Sequence, residues 1–336
     1  MKSPFTGGEV RLKKDVRTLE YRKEKFEVVY HYYVCNDTGE QFTTDEVDTL
    51  NVNQVLNKYR AKYGIPSVEE IKLIRSKYGL SAAKMSEVLG LGPNVYRKYE
   101  SGEMPSISTG RYIRLTEDVS EFLKLLSIAK NVFDQQEFDR ILKKVSPSHQ
   151  QSSGCNVDEL DIWLTNRKLP NIFNGFRVPN LERIGMMVRF FASKLTPFTT
   201  ALNKLMFYAD FGHYRKYGTS ISGLTYKAIQ RGPVPANYGG IYDLVVNYGY
   251  ADRAEVDFGD FVGDKFFYDK KVVLDSQDGP LTQTELNTLE HIAGNLEKLS
   301  TRQIVDLSHE EAGWQENINS HNEISYEYSF ELKHID

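Results

Sequence analysis

The chain has 336 residues, which is long enough for two or three domains. Its 40% hydrophobic and 26% charged content is typical of a folded globular protein and excludes a disordered chain. No apolar run approaches the roughly 20 residues needed to cross a bilayer, and residues 1–10 contain no apolar signal-peptide core, so we expect a cytoplasmic protein without membrane contact. The only cysteines, Cys35 and Cys155, lie in different predicted domains, which argues against a structural disulfide and against a zinc site made of thiolates alone.

The net charge of −4 is distributed unequally along the chain. Residues 1–130 contain 21 Lys and Arg against 18 Asp and Glu, whereas residues 131–336 contain 21 against 28. The first part can therefore approach phosphates, while the acidic second part is better suited to a basic protein partner.

The first sixty residues predict a small β module. Residues 10–12, 26–33 and 41–42 are rich in β-branched and aromatic side chains. Residues 46–63 then predict a helix. The segments 3–8 and 35–40 each look like a zinc knuckle of the form Cys-x-x-Cys-Gly, in which three of the four cysteines are replaced. The replacing residues are Ser3, Thr6 and Thr38.

The segment 79–104, GLSAAKMSEVLGLGPNVYRKYESGEM, predicts two short helices joined by a turn. Ser81 is a good N-cap for the first helix. Gly90 suits the turn because it adopts backbone angles that a side chain resists. Pro93 fits the first turn of the second helix, where a missing N–H costs nothing. This arrangement can place the second helix in the major groove of DNA.

The second helix of this segment predicts one buried and one exposed face. Val95 and Tyr99, one turn apart, are expected to face a core, and Asn94 and Lys98 to face outward. Asn can form paired hydrogen bonds with adenine, and Lys can donate to guanine. The candidate DNA contacts are Asn94, Tyr96, Arg97 and Lys98.

Further helices are predicted at residues 67–78, 106–115 and 119–128, and another at 131–144 before an exposed linker that starts near residue 145. The five small helices of residues 67–128 resemble a lambda-repressor-like helix-turn-helix domain. An ordinary helical hairpin, or a degenerate fold reused for protein contacts, remains the alternative.

Together with the two altered knuckles, this region resembles the MqsA/YgiT family of antitoxins, which combine a zinc-binding N-terminal module with a DNA-binding domain. In that family an Asn and, four residues later, an Arg contact the bases, and the resemblance places Asn94 and Lys98 at these positions. We expect no metal here, because neutral hydroxyls are weak zinc ligands beside thiolates.

The C-terminal part predicts helices at residues 181–195, 198–217, 236–248, 282–299 and 301–314. A strand is predicted at 221–229, a tight turn at 231–235 and a hairpin at 256–274. The segments FYADFGHYRKYG, SGLTYKAI, RGPVPANY and LSHEEAGW resemble, in this order, the Panacea domain of SocA-type antitoxins over residues 181–317. The resemblance implies a domain that neutralises a toxin encoded beside it, in some cases by delivering the toxin to a protease.

An enzymatic role is the competing interpretation of this region. His213 with Asp210, or His309 with Asp306 and Glu310, are conceivable acid–base pairs. Neither lies near a nucleophile signature or forms a metal-binding pattern, so we expect no enzyme. Tyr and Arg are enriched at binding hot spots, although tyrosines can equally fill a core. The candidate toxin contacts are Tyr214, Arg215, Arg231 and Trp314.

The sequence thus predicts an α+β multidomain protein. The expected domains are a β module at 1–64, an all-α helix-turn-helix domain at 65–130, a helix and linker at 131–154, and a mainly helical domain with a small sheet at 155–336. The expected function is that of a homodimeric antitoxin, without cofactor or metal, that binds a cognate protein toxin and represses its own operon by binding operator DNA. The alternatives are a transcriptional regulator with a non-toxin partner domain and a proteolytic adaptor.

Overall fold

The computed structural model describes residues 1–145, 169–259, 262–269 and 279–335. The predicted linker, Cys155 and the end of the predicted hairpin lie outside these ranges. The described residues form mixed α and β structure, which confirms the predicted fold class. They divide into two compact units: the described residues from 57 to 160 form one, and residues 1–56 with the described residues from 161 to 336 form the other. The predicted domain limits stay predictions. No helix in the described ranges is both long and apolar enough to span a bilayer.

The N-terminal sheet contains three antiparallel strands in the order β1-β2-β3. The strands are β1 (Val10–Tyr21), β2 (Glu24–Cys35) and β3 (Gln41–Phe42). Their location was predicted, but β1 extends nine residues beyond the predicted 10–12. Five of the nine added residues, 13–21, are charged, and charged residues on an exposed edge carry little strand signal.

Helix α1 (Asp45–Tyr63) covers the side of β2 that β3 leaves unpaired. The Asn51 amide accepts a hydrogen bond from the His31 N–H and donates one to the His31 carbonyl oxygen, both at 2.8 Å. The Gln54 amide forms the same reciprocal pair with Val29, at 3.1 and 2.9 Å. Two side-chain amides therefore satisfy the β2 backbone in the way a neighbouring strand would.

Six α-helices and a short 3-10 helix (Lys130–Val132) follow in the unit that begins at residue 57, within the part of the chain that the structure describes. Ser67, Ser81 and Ser106 cap three of them through their side chains, and the cap at Ser81 confirms its prediction. The stacked rings of Tyr78 and Phe122, with centroids 3.6 Å apart, lie in the core that these helices share. The helices are α2 (Val68–Lys77), α3 (Ala82–Val88), α4 (Val95–Glu100), α5 (Ile107–Leu115), α6 (Val119–Ile128) and α7 (Gln135–Val145).

The C-terminal part is built around one helix that is buried on all sides. Every residue from 201 to 214 of this helix is buried, as expected for the centre of a domain. The predicted strand 221–229 is shorter than expected, and residues 232–235 pair with it as a second strand instead of forming only a turn. The elements are α8 (Leu181–Leu195), α9 (Thr199–Tyr217, the central helix), β4 (Tyr226–Ile229), β5 (Gly232–Pro235), α10 (Tyr238–Asn247), β6 (Asp252–Asp257), β7 (Val262–Phe267), α11 (Gln283–Leu296), α12 (Thr301–His309), α13 (Ala312–Gln315) and a terminal 3-10 helix (Tyr326–Glu331).

The two ends of the chain pack together in this second unit. Lys14 donates a hydrogen bond to the carbonyl oxygen of Phe330, and the His31 ring lies 4.6 Å from the Phe330 ring. Asn53 donates to the carbonyl oxygen of Tyr217 at 3.3 Å. The β module thus shares a packed core with the last residues of the chain.

Candidate functional site

The segment predicted to read DNA contains an unusual backbone at Asn94. This residue is the N-cap of α4 and has φ 62° and ψ 4°, a left-handed conformation that Asn tolerates better than other side chains do. Helix α4 therefore begins at Val95, and the prediction that Pro93 lies in its first turn is wrong. The Asn94 side chain is exposed and does not cap the helix, so its amide remains available for another hydrogen bond.

Asn94, Arg97 and Lys98 lie within one helical turn of each other and are all exposed. The Lys98 N–H donates to the Asn94 carbonyl oxygen at 3.2 Å, which places the two residues one helical turn apart. The structure thus brings three of the four predicted DNA contacts onto one surface, which carries an amide and two cations.

Tyr96 does not belong to this surface. Its side chain is 0% exposed, its hydroxyl donates to the Ile71 carbonyl oxygen at 2.8 Å, and its N–H donates to the Ser86 hydroxyl at 3.1 Å. The prediction that Tyr96 contacts DNA is therefore wrong. Val95 and Tyr99, predicted to fill the core, are only half-buried, and Tyr96 is the residue that fixes α4 against α2 and α3.

The charge at the end of α4 favours contact with an anion. Glu100 accepts a hydrogen bond from Arg75 at 2.6 Å, and Arg75 also donates to the Leu80 carbonyl oxygen at 2.6 Å. Glu100 is therefore neutralised by a partner, and the positive charges of Arg97 and Lys98 dominate the exposed side of the helix.

In the other unit, a buried carboxylate organises the segment after α9. Asp210 accepts hydrogen bonds from the N–H groups of Ile221 and Ser222, both at 2.8 Å, and from the Tyr226 hydroxyl at 2.7 Å. Burial raises the pKa of Asp210, and these donors act in the opposite direction. The carboxylate thus holds the start of the β4–β5 hairpin against the central helix.

A second buried carboxylate caps α11. Thr282 and Glu285 form a capping box, and Arg183 donates to both oxygens of Glu285 at 2.9 Å. Arg177 forms a further ion pair with Glu285. Burial by itself raises the pKa of Glu285, but the two guanidinium groups outweigh it and lower the pKa to about 2. The carboxylate is therefore charged at neutral pH and ties three segments together.

The two histidines considered for acid–base chemistry have other partners. The Nδ1 atom of His213 lies 2.7 Å from the Thr219 carbonyl oxygen, and burial lowers the pKa of His213 to about 4. The His309 ring stacks on Trp314 with centroids 4.0 Å apart. Within the described ranges, neither His213 with Asp210 nor His309 with Asp306 forms a hydrogen bond, so neither has the geometry of a catalytic pair.

The four predicted toxin contacts differ in exposure. Tyr214 is 1% exposed, so the prediction that its side chain forms part of a binding surface is wrong. Arg215 is half-buried and donates to the Ile335 carbonyl oxygen at 2.6 Å, which anchors the end of the chain. The half-buried Trp314 donates from its indole to the Ile229 carbonyl oxygen at 2.8 Å. Of the four, only Arg231 is exposed, in the hairpin turn next to that anchor.

The two altered knuckles share one backbone geometry. The Gly7 N–H donates to the Ser3 carbonyl oxygen, and the Gly39 N–H donates to the Cys35 carbonyl oxygen, each at 2.9 Å. Both glycines have positive φ values, 72° and 76°, which favour glycine at these positions. The turns are thus formed without a full set of cysteines.

The altered knuckles bring hydroxyl groups around one thiol. Thr6 Oγ1 lies 3.5 Å from Cys35 Sγ, and hydrogen bonds from Ser3, Thr38 and Thr6 lower the pKa of the thiol to about 6. One thiol and three neutral hydroxyls do not match the donor set that zinc requires. Within the described residues, no group of three or more Cys, His, Asp or Glu side chains is placed to bind a metal.

Comparison with protein families identifies one domain. Residues 202–315 match the family described as "Antitoxin SocA-like, Panacea domain". This region begins in α9, contains the Asp210 network and the β4–β5 hairpin, and ends in α13. It confirms the predicted Panacea resemblance over these residues. No curated protein and no solved structure matches the chain.

Proposed function

We propose that this protein is the antitoxin of a toxin–antitoxin pair, and that it neutralises a cognate toxin by protein binding and represses its own operon. The observation that carries the proposal is the SocA-like antitoxin domain at residues 202–315. The toxin itself, the DNA and the dimer are inferences that rest on additional features of the chain.

DNA binding is supported by the surface of α4. Asn94, Arg97 and Lys98 are exposed within one turn, while Tyr96 fixes the helix from below. An amide beside two cations suits a base edge flanked by phosphates. Helix-turn-helix domains reach useful affinity when two of them bind half-sites about one helical turn of DNA apart. We therefore expect a dimer on a palindromic operator.

Toxin binding is assigned to the unit that contains the antitoxin domain. Residues 131–336 have seven more acidic than basic residues, which favours encounter with a basic partner. Arg231 is exposed in a turn whose position is fixed by Trp314, and Arg is enriched among the residues that carry binding energy at interfaces. We place the toxin contact at this turn.

The test is co-expression of the full-length protein with the toxin encoded by the neighbouring gene. Arg231→Glu should abolish rescue of growth, whereas Arg302→Glu, at an exposed position of α12, should preserve it. Lys98→Ala should relieve repression of the operon and leave rescue intact. Rescue by the Arg231 variant at wild-type level would remove the turn from the interface, and failure of the wild-type protein to rescue would contradict the antitoxin function.

The same experiment distinguishes neutralisation by binding from delivery to a protease. If binding suffices, toxin and antitoxin accumulate together and co-purify. If the protein is an adaptor, the toxin level falls in protease-proficient cells and rescue is lost in cells without the protease.

A further inference from the structure

The long strand at one edge of the N-terminal sheet has a neighbouring strand on only one of its two sides. Strand β1 spans 12 residues at the edge of the sheet, and no strand in the described ranges pairs with its outer side. The opposite side of the sheet is covered, because Asn51 and Gln54 satisfy the β2 backbone. The fold thus protects one edge and leaves the other open to strand addition.

The register of the hairpin shows which β1 backbone groups point outward. Val29 and His31 direct their N–H and C=O groups to the amides of α1 and therefore not to β1. In an antiparallel pair, when one of two facing residues directs its N–H and C=O groups away from the partner strand, the other residue does so too. The residues opposite them on β1 are Val16 and Lys14, whose N–H and C=O groups consequently point to the outside.

The side chains of β1 combine exposed apolar groups with charge. Val16 is 70% exposed and Leu12 is 52% exposed, although both are apolar. Charged residues on an edge strand normally oppose association, so a partner strand must place opposite charges against them. The charged residues from 11 to 17 are Arg11, Lys13, Lys14, Asp15 and Arg17.

We propose that β1 pairs with β1 of a second copy of this chain, in antiparallel orientation with the twofold axis at Val16. Val16 then lies opposite Val16 of the second copy, and the outward backbone groups of the two strands meet. Asp15 lies opposite Arg17 of the second copy, and Arg17 lies opposite its Asp15. Since Asp15 and Arg17 are already paired within one chain at 2.7 Å, the dimer contains a square of four alternating charges.

The charge pattern selects this register over its neighbours. An axis at Asp15 places two Asp15 side chains opposite each other and Lys13 opposite Arg17. An axis at Lys14 opposes two lysines, and an axis at Arg17 opposes two arginines. Like charges directly across a strand pair are destabilising. With the axis at Val16, no like charges face each other along β1.

Disulfide trapping tests the register. In a Cys155→Ser background, Val16→Cys places two thiols at a hydrogen-bonded pair, whose Cα atoms are about 5.5 Å apart and thus within bonding range. The control is Glu20→Cys, because the two copies of position 20 are offset along the strands by eight residues, or roughly 26 Å. Mild oxidation should cross-link position 16 and not position 20. Cross-linking at neither position, or equally at both, would overturn the proposal.

Charge exchange tests the same contact without cross-linking. Asp15→Arg places Arg opposite Arg17 of the second copy, and Arg17→Asp places Asp opposite its Asp15, so each variant alone should be monomeric in sedimentation velocity. A mixture of the two should form a heterodimer, because both cross-strand pairs are then Arg with Asp. Both variants lack the Arg17–Asp15 pair within the chain, so changes in folding cannot produce this recovery.

Two outcomes of the sedimentation experiment would overturn the proposal. One is a wild-type protein that is monomeric at all concentrations, and the other is a dimer that both single variants retain. The readout uses neither toxin nor operator. Its failure would remove the proposed β1 contact and leave toxin neutralisation untouched, and a failure of neutralisation would not affect the dimer.

Discussion

The ammonium group of Lys204 donates a hydrogen bond of 3.0 Å to the carbonyl oxygen of Pro233 in the interior of the region that matches the SocA-like family. Lys204 is 0% exposed, and burial lowers its pKa to about 7. A side chain at Gly232 would place Cβ 2.6 Å from the Lys204 Cε atom, and the φ of 92° also favours glycine at this position. Among the described residues, no carboxylate forms an ion pair with this lysine, which makes its protonation costly for the folded state.

The first prediction is a rise in stability between pH 7 and 10 that depends on Lys204. The pKa is lowered from 10.5 to about 7, so in this window the unfolded chain binds more protons than the folded one. The penalty for charging Lys204 is therefore complete below pH 7 and disappears towards pH 10. The free energy of unfolding of Lys204→Met should thus compare most favourably with that of wild type at pH 6. This advantage should fall by several kcal/mol by pH 10, at about 1.4 kcal/mol per pKa unit.

Denaturant unfolding of both proteins across this pH range measures the difference. Other groups that titrate in the window are common to the two proteins and cancel. The control is Lys216→Met, at an exposed position of the same helix. A stability difference between Lys204→Met and wild type that stays constant from pH 6 to pH 10, or that Lys216→Met reproduces, would contradict the prediction.

The second prediction separates base contact from backbone strain at Asn94. Asn94→Gly removes the amide but accepts the left-handed backbone, so folding should be preserved while operator affinity falls by about 1–3 kcal/mol. Asn94→Ala should lose the same affinity and also about 1–2 kcal/mol of stability, because Ala resists a φ of 62°. Binding to upstream DNA and to random duplex, with thermal unfolding beside it, measures both effects. Wild-type operator affinity of the Gly variant would remove Asn94 from the interface.

The third prediction concerns the buried hydroxyl beneath that surface. Tyr96→Phe removes the hydrogen bond to the Ile71 carbonyl oxygen and leaves this acceptor unpaired, so stability should fall by about 1–3 kcal/mol. Sequence preference on DNA should not change, because the Tyr96 side chain faces the core. A variant that folds normally and prefers a different operator would show that Tyr96 contributes to base recognition after all.

Local signals in the sequence explain which elements could be predicted. Ser67, Ser81 and Thr282 each carry the capping chemistry of a helix start, and all three helices begin there. Around α4, the sequence VYRKY permits two inward faces. The pair Val95 and Tyr99 has helical spacing, and so does the pair Tyr96 and Tyr99. Only the contacts of Tyr96 with Ile71 and Ser86 show which of the two faces is directed to the core.

Contacts between residues that are far apart in the chain could not be predicted from the sequence. The amide pairs that Asn51 and Gln54 form with β2 cannot be distinguished in sequence from polar residues on an exposed helical face. The contact of His31 with Phe330 joins positions almost 300 residues apart, and no periodicity indicates it. Tyr214 is similarly ambiguous in sequence, since tyrosine suits both a binding surface and a core, and only the packed structure shows that it is buried.

The last prediction is that the altered knuckles can be converted into a metal site. The turns at Ser3 and Cys35 have matching hydrogen bonds, and Thr6 lies within 3.5 Å of the thiol. A variant with Ser3→Cys, Thr6→Cys and Thr38→Cys should therefore bind one zinc ion per chain through four thiolates and unfold at a higher temperature than wild type. The wild-type protein should contain no stoichiometric zinc and should be insensitive to a chelator. Adding Cys35→Ser to the triple variant leaves three thiols and should weaken binding, which elemental analysis and cobalt absorption can follow. A folded triple variant that binds no metal would show that the turns no longer converge as a zinc site does, and one zinc per wild-type chain would show that the hydroxyl positions have not removed the metal.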